Sequence, residues 1–228
     1  MIMTVAARLK DINKQIETAC QKVNRKMEDI TLIAVTKYAT IETAQEAIAA
    51  GIQDLGENRL EGFQEKYATI GDKVNWHFIG TLQSRKVKDL INDIDVLHSL
   101  DRKSLAKEIN KRAEKTIPCF VQVNVSGEET KHGLAIDEVK PFIESLSVYE
   151  KIKVIGLMTM APHTDDEQIL RQTFRQLRTL RDEIQALELT HAPCEYLSMG
   201  MSNDYGIAIE EGATHIRIGS QLVGSYQS

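Results

Sequence analysis

The stretch TLIAVTKYAT, Thr31 to Thr40, runs apolar and β-branched until it delivers Lys37 at its end. An amine at a strand tip is either a solvated end or a nucleophile, because an un-ionised lysine attacks a carbonyl carbon to give a Schiff base. Two further stretches carry anion chemistry. SMGMSND places Ser202 where its hydroxyl could hold a phosphate, with Asn203 or Asp204 capping a helix behind it. IRIGSQLVG contains Gly219, which has no Cβ to block an approaching anion, and Ser220, which adds a hydroxyl beside its amide. Either loop alone is equally a turn chosen for its backbone angles. On adjacent strands the two together predict a phosphate cradle. Arg217 lies two residues before Gly219, so alternation puts His215, Arg217 and Gly219 on one face of a strand. A guanidinium there needs a ligand or an acceptor, and Glu57 or Glu195 are the structural alternatives.

These residues need a frame. Val5, Leu9, Ile12, Ile16, Ala19 and Val23 recur at helical spacing, so residues 1–28 are expected to form an amphipathic helix packing on something. Short β-branched runs follow near 31–36, 52–55, 74–79, 94–98, 118–125, 153–157, 195–199 and 213–218. Segments with helical character lie between them, with Gly51 as a C-cap and Asp101 and Asp165 as N-caps. Alternating strands and helices imply a parallel sheet. With no linker-like break and no G-x-G-x-x-G after the first strand, the pattern predicts one α/β domain over 1–228. That domain is a (β/α)8 TIM barrel with an additional N-terminal helix.

In such barrels chemistry sits at the C-terminal strand ends. The predicted ends deliver Lys37, Gly56-Glu57-Asn58, His77 with Gly80, His98-Ser99, Asn124 with the loop VSGEETKHG, then GLMTM, LSMGMSND and HIRIGS. Closure makes the first strand a neighbour of the eighth, so a lysine, an arginine and a phosphate cradle share one mouth. Nearby cations and partial desolvation favour the neutral, nucleophilic amine. A phosphate and an aldehyde on one small ligand describe pyridoxal 5′-phosphate (PLP), although sugar phosphates with a carbonyl satisfy the same chemistry.

The bulk numbers narrow the partners. The chain has 228 residues, 42% hydrophobic and 27% charged, and 28 basic against 33 acidic side chains leave a net charge of -5. No basic excess supports nucleic-acid binding, and no apolar run spans a membrane. Cys20, Cys119 and Cys194 are far apart and odd in number, and neither a disulfide framework nor a C-x-x-C metal pair results. With no signal peptide, a reducing cytoplasm is the expected home.

The motifs AVTKYAT, LGENRLEGFQEK, WHFIGTLQSRK, VNVSGEETKHG, GLMTMAP and LSMGMSNDYGIAIEEGATHIRIGSQLVG resemble the pyridoxal phosphate homeostasis family, single-domain relatives of the alanine racemase N-terminal barrel. The resemblance runs from about residue 30 almost to the C-terminus, and it implies a fold-type III PLP barrel. Lys37 matches the lysine that carries the cofactor, Ser202, Gly219 and Ser220 match its phosphate ligands, and Arg217 matches the arginine facing the pyridine nitrogen. Asn58 matches a residue beside the cofactor. His77 sits in a recurring motif and is counted with the cofactor residues, with a core histidine as the equal alternative. Lys131 matches a second lysine near the site in relatives.

The sequence departs from the family pattern around Lys37: Thr36 stands where serine is expected, proline is missing near Thr40, and so is a lysine shortly after Lys37. The implied function is non-catalytic PLP homeostasis by a monomer that exchanges PLP with apo PLP-dependent or PLP-producing enzymes. The alternative is an amino-acid racemase whose second base, Tyr38 or Tyr205, comes from the barrel, since four residues after Gly224 build no second domain. A carbonyl-sugar-phosphate enzyme is a third, remoter reading.

Overall fold

Eight β-branched runs close into one parallel barrel in which each strand pairs with its sequence neighbour and β1 pairs with β8. The structure, a computed structural model, describes residues 3–128 and 130–224. The strands are β1 (Thr31–Val35), β2 (Asp54–Glu57), β3 (Asn75–Phe78), β4 (Val96–Leu100), β5 (Ile117–Gln122), β6 (Ile152–Met158), β7 (Tyr196–Met201) and β8 (His215–Ile218). Around them lie α1 (Val5–Lys22), α2 (Ile41–Ala49), α3 (Leu60–Ile70), α4 (Lys103–Arg112), α5 (Ile136–Ser145), α6 (Glu167–Gln185), α7 (Tyr205–Glu210) and α8 (Ser220–Val223). This is the (β/α)8 architecture that the alternation of strand and helix patterns predicts.

Helix signals in the sequence held with local shifts. Thr40 caps α2, and Gly51 follows its end at φ +108, where the absence of a side chain is needed. The cap of α6 is Asp166 rather than Asp165: its carboxylate accepts from the amides of Gln168 and Ile169. Asp101 does not cap α4 either, because it pairs with the Arg102 guanidinium while Arg102 takes the cap position. The crossing from β3 to β4 uses a 3-10 turn, Ser84–Asp89, in place of an α-helix.

The N-terminal helix packs on the barrel's closing elements. Val5, Leu9, Ile12, Ile16 and Ala19 of α1 are buried, and the helix lies across α7 and α8. Each fully buried isoleucine contributes about 1.5–3 kcal/mol. Val23, expected on the same stripe, is exposed at the helix end. Polar contacts fix the docking: Arg8 donates to the Leu222 carbonyl, Arg25 to that of Ile209, and Lys22 pairs with Glu210. Residues 225–228 lie outside the described residues, and among the described ones no helix is long and apolar enough to cross a membrane.

Candidate functional site

A cleft of about 680 Å³ opens at the C-terminal ends of the strands. Six of the seven expected residues line it: Lys37, Asn58, Ser202, Arg217, Gly219 and Ser220. The Thr36 amide donates to Gly56 as the last rung of the β1–β2 ladder, after which the chain turns and throws Lys37 onto the rim. Lys37 is exposed, with its Nζ 5.0 Å from the centre of the Tyr38 ring. The β1–β8 register pairs Ile33 with Arg217, so the two strands deliver lysine and guanidinium to the same mouth.

Arg217 is fully inside the barrel. It donates to the Ser198 hydroxyl and, at 2.9 Å, to the Thr159 carbonyl. Burial pushes the guanidinium down to about 10, against the pull of Asp204, and it remains a cation at neutral pH. No carboxylate among the described residues pairs with it. Glu57, one of the expected alternatives, points outward and binds Lys66 at 3.0 Å. Glu195 presents its carbonyl to Arg181.

The anion loops are held from behind. The Asp204 carboxylate accepts from the Met201 amide and so braces the turn carrying Ser202, rather than capping α7 with its side chain. Burial raises the Asp204 carboxyl, with the Met201 amide and Arg217 opposing. At Gly219 an added Cβ would meet only Val35, at 3.7 Å, so the space it would fill is the cleft. In the single turn of α8 the Leu222 and Val223 amides donate to the Gly219 carbonyl, which leaves those of Ser220 and Gln221 with no acceptor inside the helix. Across the cleft, the Asn58 side-chain oxygen is buried with no partner among the described residues. An amine, a buried cation, two hydroxyls, an open glycine corner and an unmatched amide oxygen suit a small anionic carbonyl compound.

His77 is not in this cleft. The register sets it level with Gly56 and Val96, below the top layer, and it lines a second opening of about 430 Å³ at the other end of the barrel. There its ring nitrogens meet Asp54 and His98. His98, expected at a strand end, is likewise mid-strand and buried. Lys131 pairs with Glu128 in the loop after β5 and does not line the cleft. Tyr205 is buried and donates to Gln15 of α1, away from the site.

Sequence reasoning passed over Arg59, Thr81, Gln122, Met158, Met160 and Met201, which also line the cleft. Arg59 directly follows Asn58, and the methionines sit inside the GLMTM and SMGMSND motifs, so the strand-end rule would have reached them. A groove of similar volume, about 690 Å³, runs along α6. Its Arg171 and Arg175 are engaged by Glu211, and no groups converge there as they do at the strand ends.

Residues 11–227 match the family described as alanine racemase, N-terminal domain. The pyridoxal phosphate homeostasis protein of Aquifex aeolicus is 41% identical over 226 residues, 97% of this chain and 98% of that protein. Among solved structures, an unknown protein from Bifidobacterium adolescentis superposes with a TM-score of 0.90 at 30% identity, covering 96% of this chain and 94% of its own. PipY of Synechococcus elongatus PCC7942, solved with PLP bound, superposes with a TM-score of 0.83 at 30% identity, covering 97% of this chain and all of its own. A barrel with an amine, a guanidinium and a glycine-serine corner at one mouth, matched along nearly its whole length, belongs to the alanine racemase N-terminal domain family and, within it, to the pyridoxal phosphate homeostasis proteins.

Proposed function

We propose that this chain binds PLP in the cleft at the strand ends and keeps the reactive aldehyde in reserve for other proteins rather than using it in catalysis. The observation that carries the reading is the convergence of Lys37, just beyond β1, with Arg217 of β8 and with Gly219 and Ser220, just beyond β8, at one mouth. The Lys37 amine condenses with the aldehyde, forming a C=N link and releasing water. Ser202, Ser220 and the amides of Ser220 and Gln221 take the phosphate, and Arg217 faces the ring nitrogen. PLP bound by PipY, and the name shared by the curated relatives, support the same ligand.

The carrier role follows from the side chains around the site. A guanidinium only donates hydrogen bonds, so a ring nitrogen facing Arg217 stays an acceptor, unprotonated, and the ring withdraws electrons weakly. Among the described residues, the titratable groups lining the cleft are Lys37, Tyr38, Arg59 and Arg217, without carboxylate or imidazole. A racemase needs a second acid–base group facing the substrate α-carbon. Tyr38 is the one tyrosine in the cleft, and it lies beside Lys37 on the same turn. The partners on this reading are PLP and the apo-enzymes or PLP-producing enzymes that exchange it, and the protein acts in the cytoplasm as a monomer.

The test is an absorbance titration with PLP, borohydride reduction and peptide mapping. The expected result is one adduct on Lys37 that disappears in Lys37→Ala. Absence of any adduct, or its appearance on another lysine, overturns the proposal. Solvent deuterium entering the α-position of an amino acid in the presence of the loaded protein overturns the carrier role and favours the racemase.

A further inference from the structure

The interior of the barrel contains a file of polar side chains that joins the second mouth to the cleft. Asp54 meets His77 Nε2 at 2.9 Å, and His77 Nδ1 meets His98 Nε2 at 2.9 Å. His98 Nδ1 meets the Ser198 hydroxyl at 2.9 Å, and Ser198 accepts from Arg217. The last member lines the cleft and the first lines the far opening. All but Asp54 are buried. Polar groups at such depth are costly unless every hydrogen bond is made, and the five residues form one connected network.

With both imidazoles neutral, the chain has only one consistent direction. At one end an ionised carboxylate can only accept, and at the other a guanidinium can only donate. Burial on its own would raise the Asp54 carboxyl, but the hydrogen bonds from His77 and Asn75 outweigh it and hold it below the usual carboxylate range. His77 must therefore donate from Nε2 and accept at Nδ1. His98 must donate from Nε2 to His77 and accept at Nδ1 from the Ser198 hydroxyl. That leaves the Ser198 lone pairs to Arg217. Burial, with the Arg217 cation close by, drives His98 well below the ordinary imidazole range, so it stays neutral as the chain requires. His215 stands beside the file without joining it: its Nδ1 is 2.9 Å from the Thr214 hydroxyl.

We propose that Asp54, at the mouth remote from the cleft, is a positioning residue for Arg217, acting through His77, His98 and Ser198 by setting the direction of the hydrogen bonds between them. The relay itself is a property of the chain without ligand. Its consequence for the cofactor rests on the reading that Arg217 faces the bound ring. An anchored serine lone pair holds the guanidinium in one orientation. With Asp54 gone, both histidines can turn over their tautomers, Ser198 can reverse its hydroxyl, and Arg217 loses a fixed acceptor.

Two measurements test this. Long-range ¹H–¹⁵N correlation spectra of the PLP-free protein, recorded in mild base so that imidazoles are neutral, should show His77 and His98 each as a single Nε2–H tautomer. In Asp54→Ala both should become mixtures, whereas Asp54→Asn, whose amide oxygen still accepts, should keep them. Asn75→Ala removes a different hydrogen bond to the same carboxylate and serves as the control for general loosening. The cofactor's release rate and absorbance maximum should change in Asp54→Ala by roughly threefold or more in rate, with recovery in Asp54→Asn and no change in Asn75→Ala. Ser198→Ala should change the release rate similarly while both tautomers persist.

An Nδ1–H signal from either histidine in the wild type overturns the relay. So do tautomers that survive Asp54→Ala, or tautomers lost in Ser198→Ala alone, which would assign the direction to the cleft end. If PLP fails to bind the wild type, the proposed function fails and the tautomers still judge the relay.

Discussion

The Thr36 hydroxyl donates to Glu57 Oε1 at 2.6 Å, which ties the residue before Lys37 to a carboxylate already paired with Lys66 at 3.0 Å. Both ions of that pair are buried, Lys66 at 5% and Glu57 at 1% side-chain exposure. The ends of β1 and β2, from which Lys37 and Asn58 project, are thus pinned from outside the barrel. A hydroxyl, rather than a serine specifically, is what this contact needs, which accounts physically for threonine at this position.

Removing one partner of a buried ion pair leaves the other charged and unsolvated, a cost of about 3–5 kcal/mol. Glu57→Gln should therefore destabilise the fold by about that amount in a urea titration, and Lys66→Met alone by a similar amount. The double variant Glu57→Met/Lys66→Met should recover most of the loss, because neither charge remains to be buried. Additive losses in the double variant would contradict the pairing.

Gly219 and Gly80 should respond in opposite ways. A Cβ at Gly80 would lie 2.0 Å from the Asn58 carbonyl oxygen, whereas one at Gly219 would meet only Val35 at 3.7 Å. Gly80→Ala should lower the melting temperature and displace Asn58. Gly219→Ala should fold like the wild type and bind PLP about tenfold more weakly, the ~1.4 kcal/mol of one impaired anion contact. Equal melting temperatures for the two variants would remove the steric distinction.

These positions show what a sequence can carry. The β1–β8 neighbourhood was legible because barrel closure makes it obligatory, and it predicts Lys37 and Arg217 at one mouth. His77 was misplaced because period-two alternation tells which face a residue occupies but not its height in the barrel. That height depends on register, here His77 level with Gly56 and Val96. Glu57 could have been separated from Arg217 by the same alternation. Asp54 faces the interior with His77, so Glu57, three residues on, faces the helices. Asp166 rather than Asp165 as the cap of α6 is the usual ambiguity of adjacent acids, decided by which carboxylate reaches the amides.

The three cysteines should be inert in the native protein. Cys20, Cys119 and Cys194 are all buried. Burial pushes every thiol upward, Cys194 to about 12. Since the thiolate is the reacting species, Ellman's reagent should find no rapidly reacting thiol in the folded protein and all three in denaturant. A fast native phase would locate an accessible cysteine that these positions do not allow.

Acid should weaken the fold well before most carboxylates titrate. His215 is depressed to about 3 by burial, reinforced by His77 and Arg217 and opposed by Asp54, and burial also depresses His98 strongly. In the unfolded chain both recover an ordinary value near 6.5. Above that pH neither state binds a proton at these rings and stability is unaffected. As pH falls below it, the unfolded state takes up protons that the native state refuses, and stability declines by roughly 1.4 kcal/mol per pH unit for each histidine. The loss continues until the native rings titrate, near pH 3 for His215. The histidines' contribution to the slope of unfolding free energy between pH 6 and 5 should therefore be positive and approach two protons, roughly 2.7 kcal/mol per pH unit, before the carboxylates add theirs. His215→Phe keeps an aromatic ring beside Phe120 and Tyr196 and should lower the slope by about one proton, whatever it does to stability at pH 8. A variant with an unchanged slope would show that His215 binds its proton in the folded protein.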